Sequence, residues 1–191
     1  MRRSGQSLLE ERRLEERIPV SVMKSNGQRV RILGVDPGLN VTGYGVLEVD
    51  GRTLRVCEAG IVRGRRQTSL ADRVHEIYQG MVDVIASLEP TAVALEELFS
   101  HYKRPRTSIL MGHARGVICL AAAQAGLAVH SYSATQVKRI LTGNGRAPKT
   151  QIQMAIMREL ELESLPEPAD VADALAIALC HHYLAYNTIQ I

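Results

Sequence analysis

The chain is poor in aromatic residues and cysteine, and it lacks any long apolar run. Its 191 residues include no Trp and a single Phe, Phe99. No stretch approaches the length of a transmembrane span, and the N-terminus lacks the apolar centre of a signal peptide. Cys57, Cys119 and Cys180 are widely spaced and lie in apolar contexts. This spacing predicts buried, reduced thiols in a cytoplasmic protein, and it argues against a disulfide framework or a zinc site.

Acidic residues are absent from one long segment. Between Leu98 and Arg158 there is no Asp or Glu, although residues 30–191 carry 16 residues of each sign in total. The nine basic residues of this segment are Lys103, Arg104, Arg106, Arg115, Lys138, Arg139, Arg146, Lys149 and Arg158. A solvated basic surface is one interpretation. The segregation of charge favours the other, a surface that binds the phosphate backbone of a nucleic acid.

The first 28 residues differ from the rest in composition. They are dense in charge and end in a polar Lys-Ser-Asn-Gly-Gln run, which predicts a mostly disordered tail with Met23 as an alternative start. Residues 29–191 form the predicted domain, which is long enough for one sizeable core.

Hydrophobic periodicity and turn signals predict alternating strands and helices over this domain. The predicted strands are Val30–Asp36, Thr42–Val49, Thr53–Arg63, Thr91–Phe99 and Ala128–Tyr132. The predicted helices are one that begins with a capping box at Ser69, then Thr107–Ala125, Ala134–Leu141, Lys149–Leu162 and Asp170–Leu184, with His181 and His182 at the C-terminal dipole of the last. This order indicates an α/β fold with a mixed five-stranded sheet and helices on both faces.

Four acidic residues indicate a divalent-metal site. Asp36 and either Glu96 or Glu97 end apolar strands, where a carboxylate is costly without a cation. Asp170 and Asp173 lie three apart on a helix and share a face. Oxygen ligands of this kind suit magnesium or manganese. Turn chemistry at Asp36 and helix-dipole contacts at the Asp pair are the structural alternatives.

Two questions stay open at this level. Side chains alternate across a strand, so only one of Glu96 and Glu97 can face the same side as Asp36, and spacing does not select it. Phe99 fits either a core position or a stacking contact with an unpaired base.

Several motifs taken together resemble the RuvC family of bacterial Holliday-junction resolvases, in order from about Val30 to Tyr183. They are Ile-Leu-Gly-Val-Asp-Pro-Gly-Leu-Asn-Val-Thr-Gly-Tyr-Gly, Ala-Leu-Glu-Glu-Leu-Phe, Gln-Val-Lys-Arg followed by Gly-Asn-Gly-Arg-Ala-Pro-Lys, and Ala-Asp-Val-Ala-Asp-Ala-Leu-Ala-Ile-Ala. The resemblance implies a ribonuclease H-like fold, a homodimer, and paired nicking of a four-way DNA junction with two Mg²⁺ ions per subunit, Mn²⁺ being the alternative. It also implies cooperation with the branch-migration complex of RuvA and RuvB.

The resemblance assigns roles to individual residues. It selects Glu96 over Glu97 and matches Asp36, Asp170 and Asp173 to the other catalytic, metal-binding acids. The DNA-binding set that it implies, together with the basic segment, is Phe99, Arg104, Lys138, Arg146 and Lys149. The expected chemistry is hydrolysis with two metal ions, which leaves 5′-phosphate and 3′-hydroxyl ends.

Three other functions share part of this pattern. The run from Asp36 to Gly45 also resembles the first phosphate loop of actin-like sugar kinases and ATPases, which need two such domains. A single-domain ribonuclease H-like RNA-processing nuclease would share the fold and the acids. A catalytically silent junction-binding protein is the third alternative, although the complete acidic set argues against it.

Overall fold

The computed structural model describes residues 30–51, 53–65, 67–98 and 105–186, with only the backbone described at 105 and 106. The strands are β1 Val30–Asp36, β2 Val41–Asp50, β3 Thr53–Arg63, β4 Ala92–Glu96 and β5 Ala128–Tyr132. The helices are α1 Leu70–Leu88, α2 Pro105–Gln124, α3 Ala134–Thr142, α4 Lys149–Glu159 and α5 Ala169–Tyr186. The predicted tail lies outside the described residues. No described helix is long and apolar enough to cross a membrane.

The five strands form one mixed sheet in the order β3-β2-β1-β4-β5. The first three strands are antiparallel neighbours, whereas β4 runs parallel to both β1 and β5. Helix α1 lies between β3 and β4 in the chain, and α2 connects β4 to β5. The predicted α/β fold with a mixed five-stranded sheet is therefore confirmed.

Helices cover both faces of the sheet, as predicted. Ile32, Leu47 and Ala94 belong to a core shared with α3, α4 and α5. Their immediate neighbours Leu33 and Val93 belong to the core shared with α1 and α2. Because side chains alternate along a strand, Asp36, which lies four residues after Ile32, also faces α5, and so does Glu96, which lies two residues after Ala94.

Helix α5 packs against the sheet at very short range. A Cβ atom at Gly34 would lie 2.2 Å from the carbonyl oxygen of Ala174, and one at Gly43 would lie 2.1 Å from that of Asp170. Real Cβ atoms do not approach a neighbour this closely. The glycines of β1 and β2 therefore let the helix backbone rest directly on the sheet.

The prediction of three buried thiols is wrong for Cys57. Cys180 is buried and Cys119 is half-buried, but Cys57 is exposed. It lies on β3, which is an edge strand with most residues partly or fully exposed. An apolar sequence context at an edge strand does not imply that both faces are covered.

The prediction for His181 and His182 is also wrong. Helix α5 continues past them to Tyr186, and both side chains are buried. Nδ1 of His181 lies 2.7 Å from the hydroxyl oxygen of Tyr132. Burial, with His130 and His182 nearby, lowers the pKa of His181 to about 4. His181 is therefore neutral at physiological pH, so it does not act as a cation at the helix end.

Candidate active site

Strand pairing brings Asp36 and Glu96 together. Strands β1 and β4 are parallel neighbours in which Val35 pairs with Leu95, so the next residue of each strand is one of the two acids. Adjacent strands lie about 4.8 Å apart, and both acids face α5. Glu97 lies one residue beyond the end of β4 and is exposed. The structure therefore places Glu96, and not Glu97, beside Asp36.

The Asp36 carboxyl group lies in an environment that disfavours its charged form. Burial raises its pKa, and Glu96, Asp173 and Asp170 raise it further, to about 8. A buried carboxyl surrounded by other carboxylates is costly to ionise. The other three predicted acids thus all lie close enough to act on Asp36.

Glu96 shares this environment but has a compensating cation. Burial raises its pKa, as does the charge of Asp173, whereas a hydrogen bond with Asp36 and the charge of Lys138 lower it. Burial and the neighbouring carboxylates raise the pKa of both groups, so the two carboxyl groups resist ionising together. The pair resembles two carboxyl groups that share one proton at neutral pH.

The other two acids lie at the beginning of α5. Asp170 occupies its first turn, and Asp173 follows on the same side of the helix, toward β1 and β4. Nζ of Lys149 lies 3.3 Å from Oδ2 of Asp173. About half of each of these two side chains is exposed, so the ion pair contributes little to stability.

A cavity of about 250 Å³ opens beside the acids. Glu96 and Asp173 line it together with Lys138 from α3 and Lys149 from α4. Its apolar wall is formed by Ala134, Val137, Ile152, Ala176 and Ile177. Carboxylates and ammonium groups therefore converge on one opening that is suited to a phosphate.

Among the described residues, Arg146 is the remaining predicted DNA-binding residue, and it does not line this cavity. Arg146 is exposed in the loop between α3 and α4, where its backbone N–H donates to the Asn144 side chain at 3.0 Å. Phe99 and Arg104 lie outside the described residues. Strand β4 ends at Glu96, three residues earlier than predicted.

The donor set fits a hard divalent cation that completes its coordination with other ligands. Four carboxylates supply oxygen donors, which magnesium and manganese prefer. Within the described residues, no three His, Cys, Asp or Glu side chains are arranged to hold a metal ion on their own. Mg²⁺ commonly binds through one or two carboxylates plus water and substrate phosphate. The residues therefore fit such an ion together with a bound phosphate, and they do not form a closed protein cage.

Two residues that support the site were not identified from the sequence. Thr42 is buried, and its hydroxyl donates to the Gly38 carbonyl at 2.8 Å and accepts from the Gly38 N–H at 3.3 Å. This closes the turn that follows Asp36. Arg115 of α2 donates to the Glu96 carbonyl at 3.2 Å. Thr42 offered only the signal of a polar residue inside an apolar run, and Arg115 appeared only as a member of the basic segment.

Comparison with known proteins agrees with this arrangement. The family model described as crossover junction endodeoxyribonuclease RuvC matches residues 32–181. The protein of that name from Rhodopirellula baltica is 60% identical over 159 residues, which cover 83% of this chain and 89% of the relative. Its counterpart from Heliobacterium modesticaldum is 48% identical over 149 residues, covering 78% and 91% respectively.

A solved structure is similar over the same region. It is the structure of Thermus thermophilus RuvC in complex with Holliday junction substrate. The two structures superpose with a TM-score of 0.78 at 33% identity, over 83% of this chain and 96% of the other. Sequence and structure thus agree over nearly all described residues, and the chain belongs to the RuvC family of crossover junction endodeoxyribonucleases.

Proposed function

We propose that this protein is an endodeoxyribonuclease that resolves Holliday junctions by paired nicks in opposed strands. The observation that carries the proposal is the convergence of Asp36, Glu96 and the Asp170/Asp173 pair beside Lys138 and Lys149. Acids alone would suit many metal-dependent hydrolases. The adjoining lysines make the opening suitable for a phosphodiester, and family membership specifies a DNA junction as its source.

Nucleases of this family depend on divalent metal ions, and the metal in this proposal is Mg²⁺, with two ions per subunit. Asp36, Glu96, Asp170 and Asp173 would hold them. The chemistry supplied by such ions is activation of the attacking water and stabilisation of charge on the departing 3′ oxygen. The products would carry 5′-phosphate and 3′-hydroxyl ends. The proton on Asp36 must leave before that carboxylate can serve as a ligand.

The lysines have a distinct role in the proposal. Lys138 already lowers the pKa of Glu96, and Lys149 pairs with Asp173. Each lysine is therefore close enough to the acids to contact a phosphate that lies against them. Arg146 is exposed in the loop between α3 and α4 and would extend this basic surface. Phosphate contacts of this kind would position the strand for cleavage without reading its sequence.

A second copy of the chain completes the proposal. Two opposed nicks require two sites related by two-fold symmetry, which a homodimer supplies. Helix α2 has an outward face that suits such an interface. Ile109 is 62% exposed and Leu120 is 49% exposed on this helix, and the position of a Cβ at Gly116 is open. Cooperation with a branch-migration complex of RuvA and RuvB rests on the family resemblance.

A cleavage assay on three substrates tests the function. With Mg²⁺ present, a four-way DNA junction should be nicked symmetrically, whereas a linear duplex and an RNA hairpin should be cut far more slowly. Preferential cutting of the RNA would indicate an RNA-processing nuclease, and tight junction binding without any nicking would indicate a binding protein.

The two adjacent glutamates provide a matched pair for the site. Glu96→Gln removes a charged donor from the site while nearly keeping its shape, so nicking should collapse and junction binding should persist. Glu97→Gln removes the same charge from an exposed side chain one residue away and should be far milder. Equal loss in both variants would contradict the strand register described above.

A further inference from the structure

Arg115 connects the middle of α2 to the strand end that carries Glu96. Its Nε–H donates to the Glu96 carbonyl oxygen at 3.2 Å, and a terminal N–H donates to the Ser131 hydroxyl. Ser131 precedes Tyr132 on β5, and the Tyr132 carbonyl accepts from the Glu97 N–H at 2.9 Å. The peptide group between Glu96 and Glu97 is therefore held from both sides, by α2 through its oxygen and by β5 through its nitrogen.

These two contacts fix the position of the strand end that carries Glu96. Glu96 is the last residue of β4, so beyond it the regular strand ladder no longer defines the backbone. A shift of this strand end away from α2 and β5 would carry the Glu96 side chain away from Asp36. The guanidinium group of Arg115 is planar and rigid, and its two described bonds go to β4 and β5. Arg115 takes part in none of the ion pairs found between described residues.

We propose that Arg115 is a positioning residue for Glu96. It fixes the strand end so that the Glu96 carboxylate meets Asp36, without itself touching the substrate. The inference rests on the proposed function, in which Glu96 is a metal ligand. Groups that orient a metal ligand commonly change metal affinity or activity by about 10–100-fold when they are removed. Arg115 therefore affects both metal affinity and activity through its hydrogen bond to the Glu96 backbone.

Arg115→Met tests this role, because it keeps much of the side-chain length and removes every donor. Single-turnover cleavage of a four-way junction should fall by about 10–100-fold, and junction affinity in EDTA should stay within about twofold, since it reports phosphate contacts. The rise in Tm that Mn²⁺ causes in the wild type should shrink. Arg115→Lys keeps one donor and should fall between wild type and Arg115→Met. If Arg115→Lys cut junctions as slowly as Arg115→Met, the inference would require that Arg115→Lys also lose the Mn²⁺-induced rise in Tm. A normal rise in Tm in that slow variant would contradict the inference.

Two controls separate positioning from stability. Ser131→Ala removes one acceptor of Arg115 but leaves the bond to Glu96, so cleavage should stay close to wild type. Arg31 is a half-buried arginine at the opposite end of β1, where it donates to the Leu88 carbonyl at 2.9 Å. Arg31→Met should lower Tm and leave both cleavage and the Mn²⁺ response normal below the melting range.

The outcomes distinguish this inference from the proposed function. If Arg115→Met matched Arg31→Met in cleavage and in the Mn²⁺ response, Arg115 would be a structural residue only, and the inference would be wrong. In that case the proposed function would still stand if the wild type cut junctions and Glu96→Gln did not. If the wild type did not cut junctions at all, the proposed function would fail, and the Mn²⁺-induced change in Tm would still test Arg115.

Discussion

Substitution of Gly43 by alanine tests whether the close packing of α5 sets the geometry of the acids. The added Cβ would lie 2.1 Å from the Asp170 carbonyl oxygen and 2.5 Å from its carbonyl carbon. Ordinary van der Waals contact begins near 3.4 Å. Both clashing atoms belong to the backbone, so no side-chain rotation relieves the contact. The first turn of α5 must therefore move away from β2 by about 1 Å.

Such a displacement would affect catalysis more than stability. Overpacking of a core costs about 1–3 kcal/mol, which would lower Tm by roughly 2–12 °C in a domain of this size. A misplacement of about 1 Å in a catalytic group can reduce the rate by about 100-fold. Junction cleavage, measured under single-turnover conditions well below the melting range, should fall by about that factor. Junction binding should change little.

Gly45→Ala is the matched control, two residues along the same strand and on the same face. Its Cβ would meet the end of the Leu175 side chain, 2.6 Å from Cδ2, and not the helix backbone. A comparable loss of stability is expected, but with cleavage close to wild type. If Gly43→Ala cut junctions at the wild-type rate, helix packing at this glycine would not control the position of Asp170, and the reasoning would be refuted.

Three further predictions address charge and assembly. Burial and neighbouring carboxylates raise the pKa of Asp36 from 3.8 to about 8. The folded state therefore binds this proton more tightly than the unfolded state, so in EDTA the contribution of Asp36 to stability should fall as pH rises between these values. Asp36→Asn should flatten that dependence in thermal melts and abolish cleavage. Lys149→Ala should weaken junction binding and reduce the slope of log K against log salt by about 0.9; an unchanged slope would exclude a phosphate contact there. Leu120→Glu should leave Tm of the monomer nearly unchanged because the side chain is exposed, yet shift sedimentation from dimer to monomer.

The sequence pattern predicted most elements because local signals agreed with the final fold. The predicted bounds of β1, β3 and β5 match the structure, and the Ser69 capping box begins α1 as expected. The errors occur where a residue depends on distant neighbours. Cys57 is exposed because none of the described elements covers its side of an edge strand, and His181 is buried because β5 and Tyr132 lie against α5. Neither fact is visible within the local sequence.

The choice between Glu96 and Glu97 shows the same limit for the site. Alternation alone states that one of them faces Asp36, but only the pairing of Val35 with Leu95 determines which. That pairing joins segments 60 residues apart in the chain. Family resemblance selected Glu96 without this information, and the strand register agrees with that selection. The four acids could be identified as site residues from the sequence. The supporting roles of Arg115 and Thr42 could not, since they consist of hydrogen bonds to backbone groups elsewhere.

The positions of the two lysines near the four acids indicate where a metal ion would be most favourable, which is at Asp36. Lys149 pairs with Asp173, and Lys138 lowers the pKa of Glu96. Every influence identified on Asp36 raises its pKa instead. The two lysines therefore compensate Glu96 and Asp173, whereas burial and the other carboxylates favour the neutral form of Asp36. A divalent cation would replace the proton of that neutral form and stabilise the charged form of Asp36. Rising pH and rising metal concentration should consequently act in the same direction on metal binding, and Asp36→Asn should remove most of that coupling.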